Sequence, residues 1–356
     1  MQITSTRREV GIFFLQGEKK EELVSDILVE AFRQCGTSSS LSCHTGFVQP
    51  AESINMSAWE IIFEFLVVLV KTFGVIGLAL FRWVIPEPFK SVREKVILVT
   101  GSAGGLGRQI AQKFALLGAK VVLVDIDETR NNETLQNIKQ MQAKAFAYTC
   151  DVSNENQVEE LADKVYREVG DVDILINNAG VLPGRPLLEL TNAQIKKTLN
   201  INTLAHMWMI RQFLPRMLDR GEGHIVAISS IAGILGCPYL VDYCASKHAV
   251  IGIMSALQEE LSEIGREEQI QLTVICPSTM NTGLVQYPKT RFPSLLPILD
   301  VDKASDIVVT SILRNKRLVV IPTVVHVIYK FVNLFPPQVP LLLQRFLGYT
   351  IDPNVK

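Results

Sequence analysis

Tyr243 is followed four residues later by Lys247, a separation that on a helix sets a phenol and an ammonium side by side on one face. A phenol with a reference pKa near 10 is a poor base, and bringing it to neutrality takes about 4 kcal/mol of preferential stabilisation of the phenolate. A neighbouring ammonium can supply this electrostatically. Thirteen residues before Tyr243 stands Ser230, whose hydroxyl can hold a substrate oxygen; on the residues alone, Ser229 is an equal alternative. Together these groups suit proton transfer to or from a hydroxyl.

A second constellation lies upstream, in the loop TGSAGGLG (Thr100–Gly107). Glycines at 101, 105 and 107 let backbone N–H groups approach a pyrophosphate seated on a helix N-terminus. Gly101, Ser102, Gly105, Leu106 and Gly107 are the expected phosphate-side contacts. Twenty residues after Gly105, Asp125 closes an apolar run, where a carboxylate can accept from adenosine ribose hydroxyls and repel a 2′-phosphate. NAD is therefore expected rather than NADP, with Arg108 just past the loop weighing the other way. A dinucleotide beside a proton-transferring tyrosine implies direct hydride transfer between a substrate carbon and the nicotinamide, with no metal required.

The elements that must position these groups are short apolar runs alternating with helical periods. The runs are VILVT (96–100), VVLVD (121–125), AFAYTCD (145–151), DILINNAG (173–180), HIVAISS (224–230), LTVICP (272–277) and LVVIP (318–322). Leu106, Ile110, Phe114 and Leu117 mark one helix, with Gly118 as its stop. This alternation predicts an α/β fold, a Rossmann-type doubly wound parallel sheet with right-handed crossovers. The carboxyl ends of its strands line the ligand crevice, which brings in Asp151, Val152, Asn178, Ala179 and Gly180.

The order and spacing of T-G-x-x-x-G-x-G (100–107), D-V (151–152), N-N-A-G (177–180) and Y-x-x-x-K (243–247) resemble the short-chain dehydrogenase/reductase superfamily over roughly residues 95–320. The resemblance implies that Asp151 contacts the adenine and that Asn177 helps stabilise the central strands. It selects Ser230 over Ser229 and, within Asn200–Thr203, selects Asn202 as the helix residue holding a water that links Lys247 to solvent. Pro277–Ser278 with Thr282 resembles the family's Pro-Gly-x-x-x-Thr element at the nicotinamide amide, with Ser278 where glycine is usual. A homodimer formed through the helices bearing Asn202 and Tyr243 is also implied.

Composition sets the wider frame. Thirty-five basic and 36 acidic residues give a net charge of -1, which offers no nucleic-acid surface. The six cysteines form no CxxC pair and have no histidine at zinc spacing, so they are read as reduced and structural, Cys244 included. The 48% hydrophobic content is concentrated near residues 59–86 and after residue 318. Residues 1–56 read as a polar extension, possible alternative-start sequence ahead of Met56. Residues 57–90 read as a membrane-anchor helix, 91–322 as the catalytic domain, and 323–356 as an apolar tail that contacts a membrane or caps the substrate mouth. The run Trp59–Pro86 is long enough for the ~30 Å hydrocarbon core, and its charges Glu60, Glu64, Lys71 and Arg82 fall on one helical stripe. Arg82, Lys90, Arg93 and Lys95 follow it while Glu52 and Glu60 flank its start. By the positive-inside bias the catalytic domain faces the cytosol.

The stretch 283–299 supplies Leu284, Val285, Phe292, Leu295, Leu296 and Ile298 with few charges, a wall suited to a bulky apolar substrate. The anchor, DYCASK (242–247), SLLPIL (294–299) and the apolar tail resemble the membrane-associated group of epidermal retinol dehydrogenases and lipid-droplet 17β-hydroxysteroid dehydrogenases. The resemblance implies a lipophilic alcohol, all-trans-retinol first and a hydroxysteroid second, and a place on the endoplasmic reticulum membrane or a lipid droplet. A reading of another class is a membrane or lipid-droplet scaffold with a vestigial dinucleotide site; the intact Ser230, Tyr243 and Lys247 argue against it.

Overall fold

The computed structural model describes residues 57–351 apart from 86, 285–287, 290, 294–296, 337 and 349. The expectations for residues 1–56, and for Val285, Leu295 and Leu296, lie outside the described residues. The chain divides into two compact units, ending and beginning at Leu78 and Ala79. The described part of the first is helix α1 (Ala58–Val84), which runs past that boundary. Ser57 and Glu60 cap its start: the Ser57 N–H donates to the Glu60 carboxylate at 2.6 Å and the Glu60 N–H to the Ser57 hydroxyl at 3.4 Å. Its stretch Ala58–Arg82, 25 residues with a peak mean hydropathy of 2.3, is long and apolar enough to cross a membrane.

The second unit is built on strands β1 (Val96–Thr100), β2 (Lys120–Asp125), β3 (Ala145–Thr149), β4 (Ile174–Asn177), β5 (Gly223–Ile228), β6 (Ile270–Pro277) and β8 (Leu318–Ile321). All seven expected strands are present. They pair in parallel in the order β3-β2-β1-β4-β5-β6-β8. β1 and β5 are buried along their whole length, as strands covered on both faces must be. Helices α2 (Gly105–Leu116) and α8 (Val301–Leu313) pack together over one face, where Ile110, Phe114, Val308 and Ile312 meet the sheet. Helices α4 (Glu155–Glu168), α6 (Ala205–Arg220) and α7 (Val241–Glu263) cover the other, through Val158, Leu161, Phe213, Val250 and Met254. Helix α3 (Glu128–Gln140), capped by Asp127, follows β2, and α5 (Asn192–Leu199), opened by a Thr191–Gln194 capping box, precedes α6. The order reverses between β1 and β4, so the crevice at their carboxyl ends is where a ligand belongs.

Two features go beyond what spacing and composition indicate. The apolar tail folds into helices α9 (Thr323–Val332) and α10 (Gln338–Leu347); Val325 of α9 joins the main core, and Val332 is buried as well. A short antiparallel pair, β7 (Pro288–Lys289) with β9 (Thr350–Ile351), ties the stretch after Gly283 to the chain end. The basic flank is also partly consumed by the fold. Lys90 is largely buried, with its ammonium 2.6 Å from His224 Nδ1, and burial lowers it to about 8. Lys95 pairs with Asp173 and Glu222. Arg82 forms an ion pair with Glu87, and Arg93 remains exposed.

Candidate active site

A cavity of about 380 Å³ opens at the carboxyl ends of β1, β4, β5 and β6. The glycine loop forms one side of it. Gly101 has φ +69°, and a Cβ there would stand 2.9 Å from Ala179 Cα and from Asn178 Nδ2; only glycine fits. At Gly107 a Cβ would overlap the Gly101 carbonyl, so this glycine lets α2 begin against the loop. The first N–H groups of α2, which have no helical partners, close the cradle. The loop after β4 is fastened to it: Thr100 Oγ1 accepts from Asn178 N at 3.0 Å and Ala179 N at 3.1 Å, while Asn178 Nδ2 donates to the Thr100 carbonyl at 2.9 Å.

Asp125, at the end of β2, accepts from Ala103 N at 2.8 Å and Asp127 N at 2.9 Å. Its carboxylate thus braces the loop and lines the cavity. Arg108 does not line it, because its guanidinium donates to the carbonyls of Ala103 and Arg130. The arginine on the cavity wall at this end is Arg130, beside Gly104; it stands in the first turn of α3, where no motif points to it.

On the other side, Tyr243 and Lys247 emerge from the first turns of α7. Thr198 fixes the start of α7 by donating to Asp242 at 2.8 Å. The junction of α5 and α6 is a π-turn (Asn200–Leu204), and it grips α7 one level down: Thr203 Oγ1 donates to the Ser246 carbonyl at 3.2 Å and Asn202 Nδ2 to Ser246 Oγ at 3.1 Å. Lys247 Nζ lies 5.7 Å from the centre of the Tyr243 ring and donates to the Ile228 carbonyl at 2.9 Å. Burial raises the Tyr243 phenol to about 12, opposed by a hydrogen bond from Ser230. Burial lowers Lys247 to about 8. Ser229 Oγ donates to the Lys247 carbonyl at 2.9 Å, leaving Ser230 as the serine whose hydroxyl meets the phenol.

The structure therefore gathers Gly101, Gly105, Leu106, Asp125, Asn178, Ala179, Gly180, Ser230, Tyr243, Lys247, Pro277 and Thr282 around one cavity. Thr282 closes over the glycine loop, its Cβ 3.3 Å from where a Gly105 Cβ would be. Five expected residues stand behind the wall instead. Ser102 is fully buried and its hydroxyl donates to Asn131 at 2.7 Å. Gly107 is packed against Gly101, and Val152 belongs to the core. The Asp151 carboxylate is engaged by the N–H and hydroxyl of Ser153 at 2.9 and 2.7 Å. The Asn202 carboxamide exchanges hydrogen bonds with the Val181 backbone at 2.8 and 2.9 Å, so it braces the loop after β4.

Several lining residues carry no motif signal. Leu182, Ile231, Leu240 and Cys237 form an apolar end beside Tyr243. Cys237 donates through its N–H to Cys244 Sγ at 3.3 Å, and the contact with the Cys237 thiol lowers the Cys244 thiol, while Cys244 packs with Ala232, Leu240 and Tyr243. His206, in the first turn of α6, is fully buried with neither ring nitrogen hydrogen-bonded; burial, aided by the Lys247 charge, lowers it to about 3. Among the described residues no cluster of three or more potential metal ligands occurs.

Known proteins share this arrangement. Residues 95–291 match the family described as short chain dehydrogenase. The cow protein named short-chain dehydrogenase/reductase family 16C member 6 is 40% identical over 275 residues, 77% of this chain and 87% of that protein. Human epidermal retinol dehydrogenase 2 is 38% identical over 74% of this chain and 85% of its own length. Human 17-beta-hydroxysteroid dehydrogenase 13 is 34% identical over 80% and 94%. Among solved structures, a short chain dehydrogenase/reductase from Burkholderia phymatum in complex with NAD superposes with a TM-score of 0.62 at 25% identity, covering 75% of this chain and 99% of that one. A metagenomic short-chain oxidoreductase in complex with NADP gives 0.54 at 28% identity, covering 65% and 97%. With the glycine cradle, the parallel sheet and the Tyr243–Lys247 pair falling inside the matched region, this chain belongs to the short-chain dehydrogenase family and is an oxidoreductase that interconverts an alcohol and a carbonyl with a nicotinamide dinucleotide.

Proposed function

We propose that the chain is a membrane-associated, NAD-dependent dehydrogenase of lipophilic alcohols, with all-trans-retinol and retinal as its substrate pair. The observation that carries this reading is the shared cavity in which Ser230, Tyr243 and Lys247 stand beside the glycine loop and next to an apolar end. When bound, the dinucleotide supplies the hydride acceptor or donor. The cradle fits it, since the backbone at Gly101 and Gly107 leaves no room for a side chain. Gly101, Gly105 and Leu106 would hold the phosphates and Asp125 the ribose, while Pro277 and Thr282 would flank the nicotinamide end.

Ser230 holds the substrate oxygen and Tyr243 moves its proton, removing it in oxidation and returning it in reduction. Lys247, as an ammonium, stabilises the phenolate. Ser278, buried with its hydroxyl unbonded on the same wall, is an additional donor where the family pattern has glycine. The apolar end excludes water from the reacting pair, which strengthens these electrostatic interactions.

Preference for NAD rests on the Asp125 carboxylate at the β2 end, and Arg130 on the same wall is the group that would oppose it. Retinol is favoured by the 38% identical retinol dehydrogenase, and the 34% identical 17-beta-hydroxysteroid dehydrogenase makes a hydroxysteroid the second reading. Association with the endoplasmic reticulum or a lipid droplet, with the catalytic unit in the cytosol, is supported by α1 and by exposed Val327, Phe331, Leu341, Leu342 and Phe346 on the C-terminal helices and Leu334 between them. Homodimer formation belongs to the same reading.

The test is nicotinamide turnover by membranes containing the full chain, given retinol, a 17β-hydroxysteroid and a short alcohol, each with NAD and with NADP, beside a Tyr243→Phe control. NAD-dependent retinal formation that vanishes in the control is expected. Dinucleotide binding without turnover of any alcohol would favour a scaffold instead.

A further inference from the structure

A second cavity of about 70 Å³ lies between α9 and α10. Its walls are Val325, Ile328 and Val332 from α9, Leu343 and Leu347 from α10, and Ile231 and Leu235 from the turn after β5, with Cys237 at one edge. Ile231 and Cys237 also line the reaction cavity, so the two spaces share a wall beside Ser230 and Tyr243. The small cavity has room for about two water-sized groups, too little for a whole substrate but enough for the end of an extended chain. Water gains little there, because the lining is almost wholly apolar.

The surroundings hold this cavity in register with the reacting groups. The Gln344 amide donates to the Gly236 carbonyl, fastening α10 to the loop that carries Cys237. Phe346, near the end of α10, stacks on Phe292 with ring centres 5.2 Å apart, and Arg291 lies over both rings. The β7–β9 pair adds a backbone link between the same two stretches. The C-terminal helices and the segment before α8 are thus joined to each other and, through Gln344, to the loop beside Cys237.

We propose that the space between α9 and α10 is a tail subsite: it receives the distal hydrocarbon of the alcohol whose hydroxyl sits at Ser230 and Tyr243, passing Ile231 and Cys237 on the way. The ligand class is an extended apolar chain, of which isoprenoid allylic alcohols are the natural series. This rests on the alcohol-dehydrogenase reading above. It adds that the C-terminal helices select substrate by length.

The full chain in membranes is given prenol, geraniol, farnesol and geranylgeraniol, which share one reacting end and differ in tail length. In the parent, kcat/KM is expected to climb at least about tenfold along the series, as more of the tail leaves water. Leu343→Trp and, separately, Ile328→Trp should flatten that climb while leaving prenol turnover within about twofold, the latter showing that the variants fold. A climb that survives both substitutions overturns the subsite. Retinol binding, read by its own fluorescence in a Tyr243→Phe background, needs no turnover and should weaken about tenfold or more when Leu343→Trp is added. If no alcohol is oxidised but this binding loss is seen, the activity reading fails and the subsite stands; unchanged binding removes the subsite whatever the turnover shows.

Discussion

At the scale of single residues, protonation states govern what the site can do. With Tyr243 raised to about 12 and Lys247 lowered to about 8, both by burial, the phenol holds its proton at neutral pH and is poised to give it. Oxidation needs the opposite form, so its initial rate should climb from about pH 6 to about pH 8, where Lys247 begins to lose the charge that stabilises the phenolate, while reduction does not. A fall in oxidation over that range would remove Tyr243 as the base. Tyr243→Phe should cut turnover by about 10²–10⁴, with dinucleotide binding, followed by quenching of protein fluorescence, little changed. His206 makes a separate prediction. Its folded pKa is depressed to about 3 by burial, so below about 6.5 the unfolded chain takes a proton that the folded chain refuses, and stability falls with pH. Between about pH 7 and pH 5 this amounts to about 2 kcal/mol. Urea titrations at both pH values should show that loss shrinking in His206→Phe; an unchanged loss would assign it to other groups. Tyr243, Lys247 and the glycines were legible as residues because their spacing is local to one helix or one turn. His206 and Arg130 were not, since their significance arises from neighbours distant in the chain.

At the scale of elements, the proposed preference for NAD rests on how the end of β2 meets the start of α3. Asp125 both braces Ala103 and presents its charge to the cavity, and Arg130 opposes it from the first turn of α3. Asp125→Ser should therefore shift the NAD:NADP ratio of kcat/KM toward NADP by about tenfold, and adding Arg130→Ala should reverse part of that shift. A ratio unmoved by either change would place selection elsewhere. Gly107→Val should abolish dinucleotide binding, because the side chain would collide with the Gly101 carbonyl and push α2 off the loop. The strands were readable from their unbroken apolar runs, which parallel packing between two helical layers requires. The C-terminal helices were harder to read. Their apolar residues serve a buried face, an exposed face and a cavity wall at once, and composition alone does not sort these.

At the scale of the whole molecule, the proposed membrane association is tested through α1 and through the orientation of the catalytic unit. Full-length chain should resist carbonate extraction from membranes, and removal of residues 1–84 should release a protein that still binds dinucleotide. Release of the full chain by carbonate would count against α1 as an anchor. The sequon Asn132–Glu133–Thr134 reports orientation: a cytosolic domain leaves it bare, and a glycan at Asn132 would reverse the assignment. Thr134 is fully buried, with its hydroxyl donating to the Ser102 carbonyl at 3.1 Å, while the acceptor Asn132 is exposed. The positive flank is a weaker guide than its residue count, given that Lys90 and Lys95 are held by His224, Asp173 and Glu222.

The sequence by itself determined the strand–helix alternation, the glycine cradle, the Tyr243–Lys247 pair and the apolar helix, because each depends on short-range periodicity or on one turn's backbone geometry. Only the tertiary structure decided which candidates share a cavity. It turned Ser102, Asp151 and Asn202 toward Asn131, Ser153 and Val181, and it brought Ile231, Cys237 and Leu343 from distant stretches to adjoining walls. A polar side chain takes the hydrogen-bond partner that packing places nearest, and an apolar wall forms wherever separate elements leave a gap. Both depend on contacts between distant parts of the chain, which local spacing does not encode.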